Sequence, residues 1–578
     1  MSFTVSDLIV ETLQQAGVRR VYGLPGDSLN GFTDALRRNR TMAWNHVRHE
    51  EAAAFAAAGE AAITGELAVC AASCGPGNLH LINGLFDAHR SRVPVLAIAA
   101  HIPTIEIGTT YFQETHPQEL FRECSVYCEL ASTPDQFPRV LETAMRTAIE
   151  KRGVAVLVVP GDVLVADTQR PRTITTIRAT ASVVRPSDGE LQAAARALDA
   201  AERVTILAGA GCAGAHEQVL ALAGALQAPV VHTLRGKEFV EHDNPYDVGM
   251  TGLLGLMSGC RAMGECDTLL MLGTDFPYRD FYPDNATVIQ VDVRGEQIGR
   301  RTAVDVPLVG TVKDTVEALL PKLRAKTDGA HLTRMREYYV KNRKSLDAVA
   351  VDDRNRTPLH PQFVAKTIDE LASEDAVFIP DVGTPVIWAA RYLTMNGRRR
   401  LIGSFSHGSM ANAVPHAIGV QASQPGRQVV TLSGDGGVAM MLGDLITLQQ
   451  LRLPVKVVVF NNGALGFVEL EMKAGGFVTF GTDLSDPNFA AVAEALGMHG
   501  ERVDRPDNLA GALLRAFAHD GSALVEVMTA RQELSVPPKI TLDELKGFTL
   551  YAGRSVLSGQ GDELIDVVRT NVTRRVFS

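Results

Sequence analysis

The chain has 578 residues, a formal net charge of −10 and a hydrophobic fraction of 46%. That length predicts about three to four domains, and the acidic balance argues against a nucleic-acid partner, because phosphate binding needs a basic face. No apolar run reaches the roughly 18 residues that a membrane-spanning helix needs.

The first segment, "MSFTVSDLIVETLQQAG", reads as an amphipathic helix without a basic leader, so no signal peptide is expected. Beyond it, short β-branched runs alternate with longer Ala/Leu-rich runs: "ELAVCAAS", "VPVLAIAA", "GVAVLVVPGD", "RVTILAGAG", "DTLLMLGTD", "ATVIQVDV", "DAVFIPDVG", "RQVVTLSGDG" and "LPVKVVVFNN". Strands this uniformly apolar are buried on both faces, and with helices between them they predict parallel sheets. Two polar stretches, residues 167–190 and the charged region from about Lys322 to Pro358, read as linkers. The predicted division is 1–182, 183–335 and 336–530, each a doubly wound α/β domain, followed by a tail over 531–578. The first and third domains look alike in coarse pattern. The seven cysteines are scattered; Cys124 and Cys128 could share a helix face, but no second pair gives metal-ligand spacing. Buried free thiols in a reducing cytoplasm are expected.

"VVTLSGDGGVAMM", residues 429–441, holds Asp435 among Gly434, Gly436 and Gly437. "RQVVTLS" predicts a strand and "VAMMLGDLITLQQLRL" a helix, with Leu442, Leu445, Leu448 and Leu451 three apart. The next strand, "PVKVVVF", ends at Asn461-Asn462. A parallel βαβ unit brings the two strand ends together at the carboxyl edge of the sheet, where α/β ligands bind. A carboxylate, an amide oxygen and loop carbonyls are hard ligands suited to Mg²⁺ or Ca²⁺, and bare glycine backbone lets a diphosphate approach its amides. A tight turn followed by an Asn cap would share part of this pattern.

GDG followed by NN resembles the signature of the thiamine-diphosphate enzyme family. The resemblance implies Mg²⁺ on Asp435, Asn462 and the Ala464 carbonyl. It places thiamine diphosphate against Asp435, Gly436 and Gly437, against Asn462, Gly463, Ala464, Leu465, Gly466, Phe467 and Val468, and against "SFSHGSMANAVPHAIG", where Gly408 and Ser409 contact the coenzyme and Met410 props it. A lone methionine is also common core filler. "NHVRHEEAAAFAAAGEAAITG" resembles the family's glutamate segment. Glu50 would hydrogen-bond the aminopyrimidine ring of a coenzyme on a neighbouring subunit. Glu51 is the competing candidate, and an acidic first helical turn would look the same. "SCGPGNLHLINGL", residues 73–85, resembles the loop on the pyrimidine side.

Within the family, the middle domain resembles that of the flavin-containing members. Gly209-x-Gly211-x-x-Gly214 is a weak dinucleotide signal alone. "MTGLLG", "GTDFPYRDFYP" and "IQVDV" are more specific. They imply FAD held by Thr251, Gly252, Leu253 and Leu254, by Thr274, Asp275, Phe276, Pro277 and Tyr278, and by Asp292 at a strand end. "YFQETHPQELFREC" would place Phe112 and Gln113 near the substrate. Phe467 would stand between thiamine and flavin, with Val468 and Glu471 lining the pocket. The nearly end-to-end likeness is to the quinone-linked pyruvate dehydrogenases of the family. It implies oxidative decarboxylation of pyruvate to acetate and CO₂, with electrons passed through FAD to a membrane quinone, and a homo-oligomer, a tetramer by resemblance. It further implies peripheral attachment to the inner face of the cell membrane through the tail. There Ile565, Val568, Val572 and Val576 share a helical face beside Arg569, Arg574 and Arg575. An acetolactate synthase-type carboligase and an oxygen-linked, phosphate-dependent pyruvate oxidase are the alternatives.

Overall fold

Residues 3–170, 177–351, 357–485, 487–531, 533, 550–551 and 554 are described by a computed structural model of the chain. The predicted tail helix and its arginines lie outside these residues.

The first sheet contains β1 (Arg20–Gly23), β2 (Ala43–His46), β3 (Ala68–Ala72), β4 (Val95–His101), β5 (Tyr127–Leu130) and β6 (Val154–Pro160). They lie parallel in the order β2-β1-β3-β4-β6-β5. Helices cover both faces, which is why every residue of β4 and β6 is apolar or buried. The second sheet contains β7 (Val204–Ala208), β8 (Val230–His232), β9 (Asp247–Met250), β10 (Thr268–Leu272), β11 (Thr287–Asp292) and β12 (Val306–Val309). Its order, β12-β11-β10-β7-β8-β9, is the dinucleotide-binding one, with a switch point between β7 and β10. The third sheet contains β13 (Val377–Pro380), β14 (Arg400–Leu401), β15 (Val429–Gly434), β16 (Lys456–Asn461), β17 (His499–Val503) and β18 (Ala523–Met528). Its order, β14-β13-β15-β16-β18-β17, repeats that of the first sheet. The three parallel α/β sheets are those the apolar runs predict.

The first and third domains meet through helices Glu50–Thr64 and Ala413–Ser423. Both are rich in small residues, so their backbones come close. A Cβ at Gly59 would lie 2.4 Å from the His416 carbonyl oxygen, and one at Gly419 only 1.8 Å from that of Ala56. Among the described residues no helix is long and apolar enough to cross a membrane.

Three local expectations are corrected. The helix expected from Val438 to Leu453 is broken into Asp435–Met440, a 3₁₀ turn Leu442–Asp444, and Leu445–Gln450. Asp444 stands at the break, where its Oδ1 accepts from the Arg48 amide at 2.9 Å and from Thr447 Oγ1 at 2.8 Å. The charged stretch after Lys322 is not all linker. It contains the helix Ala330–Val349, which buries Met335 against the middle domain. Cys124 and Cys128 share no helix, since Cys128 sits in β5; all seven cysteines are free thiols.

Candidate active site

β15 and β16 are paired neighbours, Gly434 opposite Phe460, so Asp435 and Asn462 leave the sheet side by side. Asp435 is buried. Its Oδ2 accepts from the amides of Asn462 at 2.9 Å and Gly463 at 2.7 Å, and its Oδ1 from that of Gly436 at 2.8 Å. Asn461, by contrast, is spent on the fold: its amide donates to buried Glu526 at 2.8 Å. Asn462 Oδ1 accepts from the Ala464 amide at 3.1 Å, closing the loop on itself. The donor set of one carboxylate, one side-chain amide oxygen and main-chain carbonyls fits Mg²⁺.

The floor of this turn is tightly specified. A Cβ on Gly437 would fall 1.8 Å from Asp381 Oδ2. Asp381 follows β13, and its Oδ1 accepts from the Val382 amide and from the amide and side chain of Asn412. Burial pushes this carboxyl up to about 7. A Cβ on Gly436 would lie 3.4 Å from Met410 Cε and 3.1 Å from Leu465 Cδ2. Met410 thus points at the glycine-aspartate-glycine turn. Its neighbour Ser409 accepts a hydrogen bond from Asn83 of the first domain at 2.9 Å.

Glu50 begins the helix Glu50–Thr64, capped by His49, whose Nδ1 accepts from the Glu51 amide at 3.2 Å. Glu50 is only 5% exposed. Its Oε2 lies 2.9 Å from His80 Nδ1, and its Oε1 faces Gly77 in the first turn of the helix Pro76–Ser91. Glu51 turns elsewhere, accepting from Asn83 Nδ2 at 2.7 Å. Ligating atoms of His49, Glu50 and His80 lie within 4.8 Å of one another. The two imidazoles are stacked, centroids 4.2 Å apart and planes 25° from parallel. An ion cannot lie in both ring planes, so this cluster is read as a carboxylate held by a histidine. Gln113 Oε1 accepts from Cys74 at 3.4 Å, which holds the substrate-loop glutamine on the glycine-rich turn. The Phe112 side chain is 78% exposed.

In the middle domain, Gly209 and Gly211 follow β7 and Gly273 follows β10, at the switch point. Their backbones touch, since a Cβ on Gly211 would lie 2.7 Å from Gly273 Cα. The two predicted flavin segments also meet: a Cβ on Gly252 would lie 2.9 Å from the Phe276 ring. Asp292 ends β11 at the same edge, and burial pushes its carboxyl up to about 6, against the pull of Arg92. A bare switch point and an acid at a strand end suit a dinucleotide such as FAD.

The segments predicted to hold flavin lie beside the third domain. Leu254 packs on the same apolar core as Phe467. Burial and then the charge of Glu471 push the Tyr278 phenol up. Phe467 and Glu471 lie on the helix Gly466–Ala474 that continues from the metal loop, with Val468 half-exposed between them. Arg235, in "RGKE", joins all three domains, donating to the Ser91 carbonyl at 2.9 Å and to Ser406 Oγ at 3.1 Å.

Residues 3–120, 191–319 and 381–527 match, in turn, the N-terminal TPP binding domain, the central domain and the C-terminal TPP binding domain of thiamine pyrophosphate enzymes. The Bacillus subtilis (strain 168) protein YdaP, whose name describes it as thiamine pyrophosphate-containing, is 36% identical over 563 residues, 97% of each chain. The chain belongs to the thiamine pyrophosphate enzyme family. Among its relatives in that family, the pyruvate oxidase of Lactiplantibacillus plantarum is 29% identical over 546 residues, 93% of this chain and 90% of that one. The acetolactate synthase of Mycobacterium bovis is 30% identical over 534 residues, 89% and 86% of the two chains. As a thiamine pyrophosphate enzyme, the chain carries on its first domain a glutamate beside a histidine, and on its third a compact oxygen-donor turn. His80, Asp381 and Asn83 were not singled out from sequence; "GPGNLH" and "DVG" after a strand are the signals that carried them.

Proposed function

We propose that this thiamine pyrophosphate enzyme is a quinone-linked pyruvate oxidase: pyruvate, water and a quinone give acetate, CO₂ and the quinol. When bound, thiamine diphosphate supplies the electron sink for loss of CO₂, and FAD the two-electron acceptor. Asp435, Asn462 and the Ala464 carbonyl would hold Mg²⁺, and the bare backbone at Gly436 and Gly437 would admit the diphosphate. Met410, Gly408 and Ser409 would seat the coenzyme. Glu50, kept in place by His80, offers a buried carboxyl for the proton exchange that the family places on the aminopyrimidine. Gln113, Phe112, Val468 and Glu471 would surround pyruvate.

The observation that carries this reading is the joint between a predicted flavin segment and the third domain, where Arg391 Nε donates to the Leu254 carbonyl at 3.1 Å. Leu254 and Phe467 pack against one apolar core from the two sides of the domain boundary. An enzyme that moves electrons between two cofactors needs their domains joined in this way. Attachment to the inner face of the cell membrane through residues 531–578, and assembly as a homotetramer, complete the proposal.

Anaerobic stopped-flow absorbance tests it. Pyruvate should bleach the flavin, and a quinone analogue should restore it much faster than oxygen does. Equal rates with acetyl phosphate formed from phosphate would favour the oxygen-linked enzyme. No bleaching, with acetolactate formed, would favour the carboligase. A chain cut after Ser555 should keep activity with a soluble acceptor and lose flotation with anionic vesicles.

A further inference from the structure

One short helix of the third domain, Thr384–Tyr392, runs from one candidate cofactor site to the other. Its first turn stands against both halves of the metal motif. A Cβ on Gly466 would lie 3.5 Å from Thr384 Cγ2, and one on Gly434 3.9 Å from Pro385 Cγ. Its last turn carries Arg391, whose guanidinium crosses into the middle domain. There Nε donates to the Leu254 carbonyl at 3.1 Å, and Nη2 reaches the Gly255 carbonyl at 3.5 Å. These carbonyls belong to the loop that leaves β9 and closes with the Leu256 amide on the Met250 carbonyl at 2.8 Å.

The loop therefore has an external hold as well as its own. Gly252 sits at φ +92°, and the Gly255 amide turns back onto the Gly252 carbonyl at 2.9 Å, which leaves the Leu254 and Gly255 carbonyls for Arg391. Arg391 is itself fixed: Arg343, on the helix Ala330–Val349, donates to the Arg391 carbonyl and, at 3.1 Å, to Asp347. A planar guanidinium presents its donors to two successive carbonyls in a rigid fork, where an ammonium is a compact charge on a flexible stem. The nine-residue helix behind it is a rod of roughly 13 Å, with no glycine to absorb a shift between its two ends.

We propose that Arg391 is a positioning residue for the flavin. It fixes the 251–256 loop, and its helix makes occupancy of the diphosphate turn and of the flavin site mutually reinforcing. This rests on the FAD reading above. Coupling of this kind is reciprocal, so it can be read from either ligand.

The test follows flavin fluorescence on dilution of the purified holoenzyme, with and without Mg²⁺-thiamine diphosphate, for the wild type, Arg391→Met and Arg391→Lys. In the wild type, thiamine diphosphate should slow flavin release. Arg391→Met should release flavin at least about tenfold faster, the scale set by losing hydrogen bonds from a charged donor, and thiamine diphosphate should no longer slow it. Arg391→Lys should fall between. Far-ultraviolet circular dichroism and retained thiamine diphosphate binding separate this from misfolding, and Arg391→Lys carries the test if Arg391→Met does not fold. A wild-type release rate in the variants, or a thiamine effect that is absent from the wild type or survives the substitution, overturns the proposal. A wild-type chain purified without flavin, and unable to take it up, overturns the FAD reading and this one with it.

Discussion

Glu50 and His80 meet at the carboxyl edge of the first sheet, Oε2 2.9 Å from Nδ1, while the adjacent Glu51 is tied to Asn83. The two neighbouring glutamates therefore have different work. Glu50→Gln should keep the fold and both cofactors and slow pyruvate turnover at least about a hundredfold, the usual scale of a lost acid–base group. Glu51→Gln should cost much less. Turnover with a soluble acceptor, beside cofactor occupancy, checks both; an active Glu50→Gln with an inactive Glu51→Gln would reverse the assignment.

Asp435→Ala should abolish Mg²⁺-dependent thiamine diphosphate binding and leave a flavin that still binds, since the two sites rest on different sheets, but that is released faster, as the coupling through Thr384–Tyr392 requires. Cofactor occupancies after gel filtration measure this. A variant unable to bind flavin at any concentration would mean that the two sites do not rest on separate sheets, and a release rate equal to that of the thiamine diphosphate-loaded wild type would count against the coupling.

Gly437→Ala tests the floor of the turn without touching a metal donor. The new methyl would overlap the Asp381 carboxyl, 1.8 Å away, and the backbone that binds diphosphate must shift. A stability loss of about 1–3 kcal/mol, typical of overpacking, and weaker thiamine diphosphate binding are expected by calorimetry. An unchanged Tm and affinity would show that the turn is loose.

Asp292 gives the flavin site a pH dependence. Its carboxyl stands at about 6 in the folded chain against an ordinary 3.8, because of burial. As pH rises through that window the unfolded chain releases its proton first, so this group's contribution to stability falls and is constant above it. Flavin-free Asp292→Asn should therefore gain stability relative to the wild type between these values and no further above them. Flavin affinity should move the other way in the wild type, rising with pH through about 6 as the carboxylate becomes able to accept from ribose hydroxyls, and staying flat in Asp292→Asn. Thermal melts and fluorescence titrations across this range check the two signs.

Much of the site is legible in the sequence because it lies at strand ends. Asp435 and Asn462 had to be close once "RQVVTLS" and "PVKVVVF" were parallel neighbours, which is what β15 and β16 are. His80 was hidden for the opposite reason: it lies 30 residues beyond Glu50 and reaches it only through the way one helix packs on another. The helix Ala330–Val349 escaped detection because apolar periodicity barely marks it. Its hold on the middle domain comes partly from arginine contacts, Arg261 stacked over Tyr338 at 4.3 Å and Arg336 donating to the Asp247 carbonyl, to which a hydrophobic pattern is blind. The break near Asp444 was equally invisible, since the carboxylate standing there accepts from the Arg48 amide of another domain.

The repeated strand order of the first and third sheets gives the glycine contact between their helices a further meaning. Glu50–Thr64 and Ala413–Ser423 are equivalent elements, each linking the second strand of its sheet to the third. Each notches the other: Gly59 takes the His416 carbonyl and Gly419 takes that of Ala56. The chain thus contains an internal dyad, a self-complementary joint of the kind that usually forms between identical subunits. Prising open one notch opens its mate, so methyl groups added at Gly59 and Gly419 would act on a single spacing, and their joint effect would fall short of the sum of the two alone.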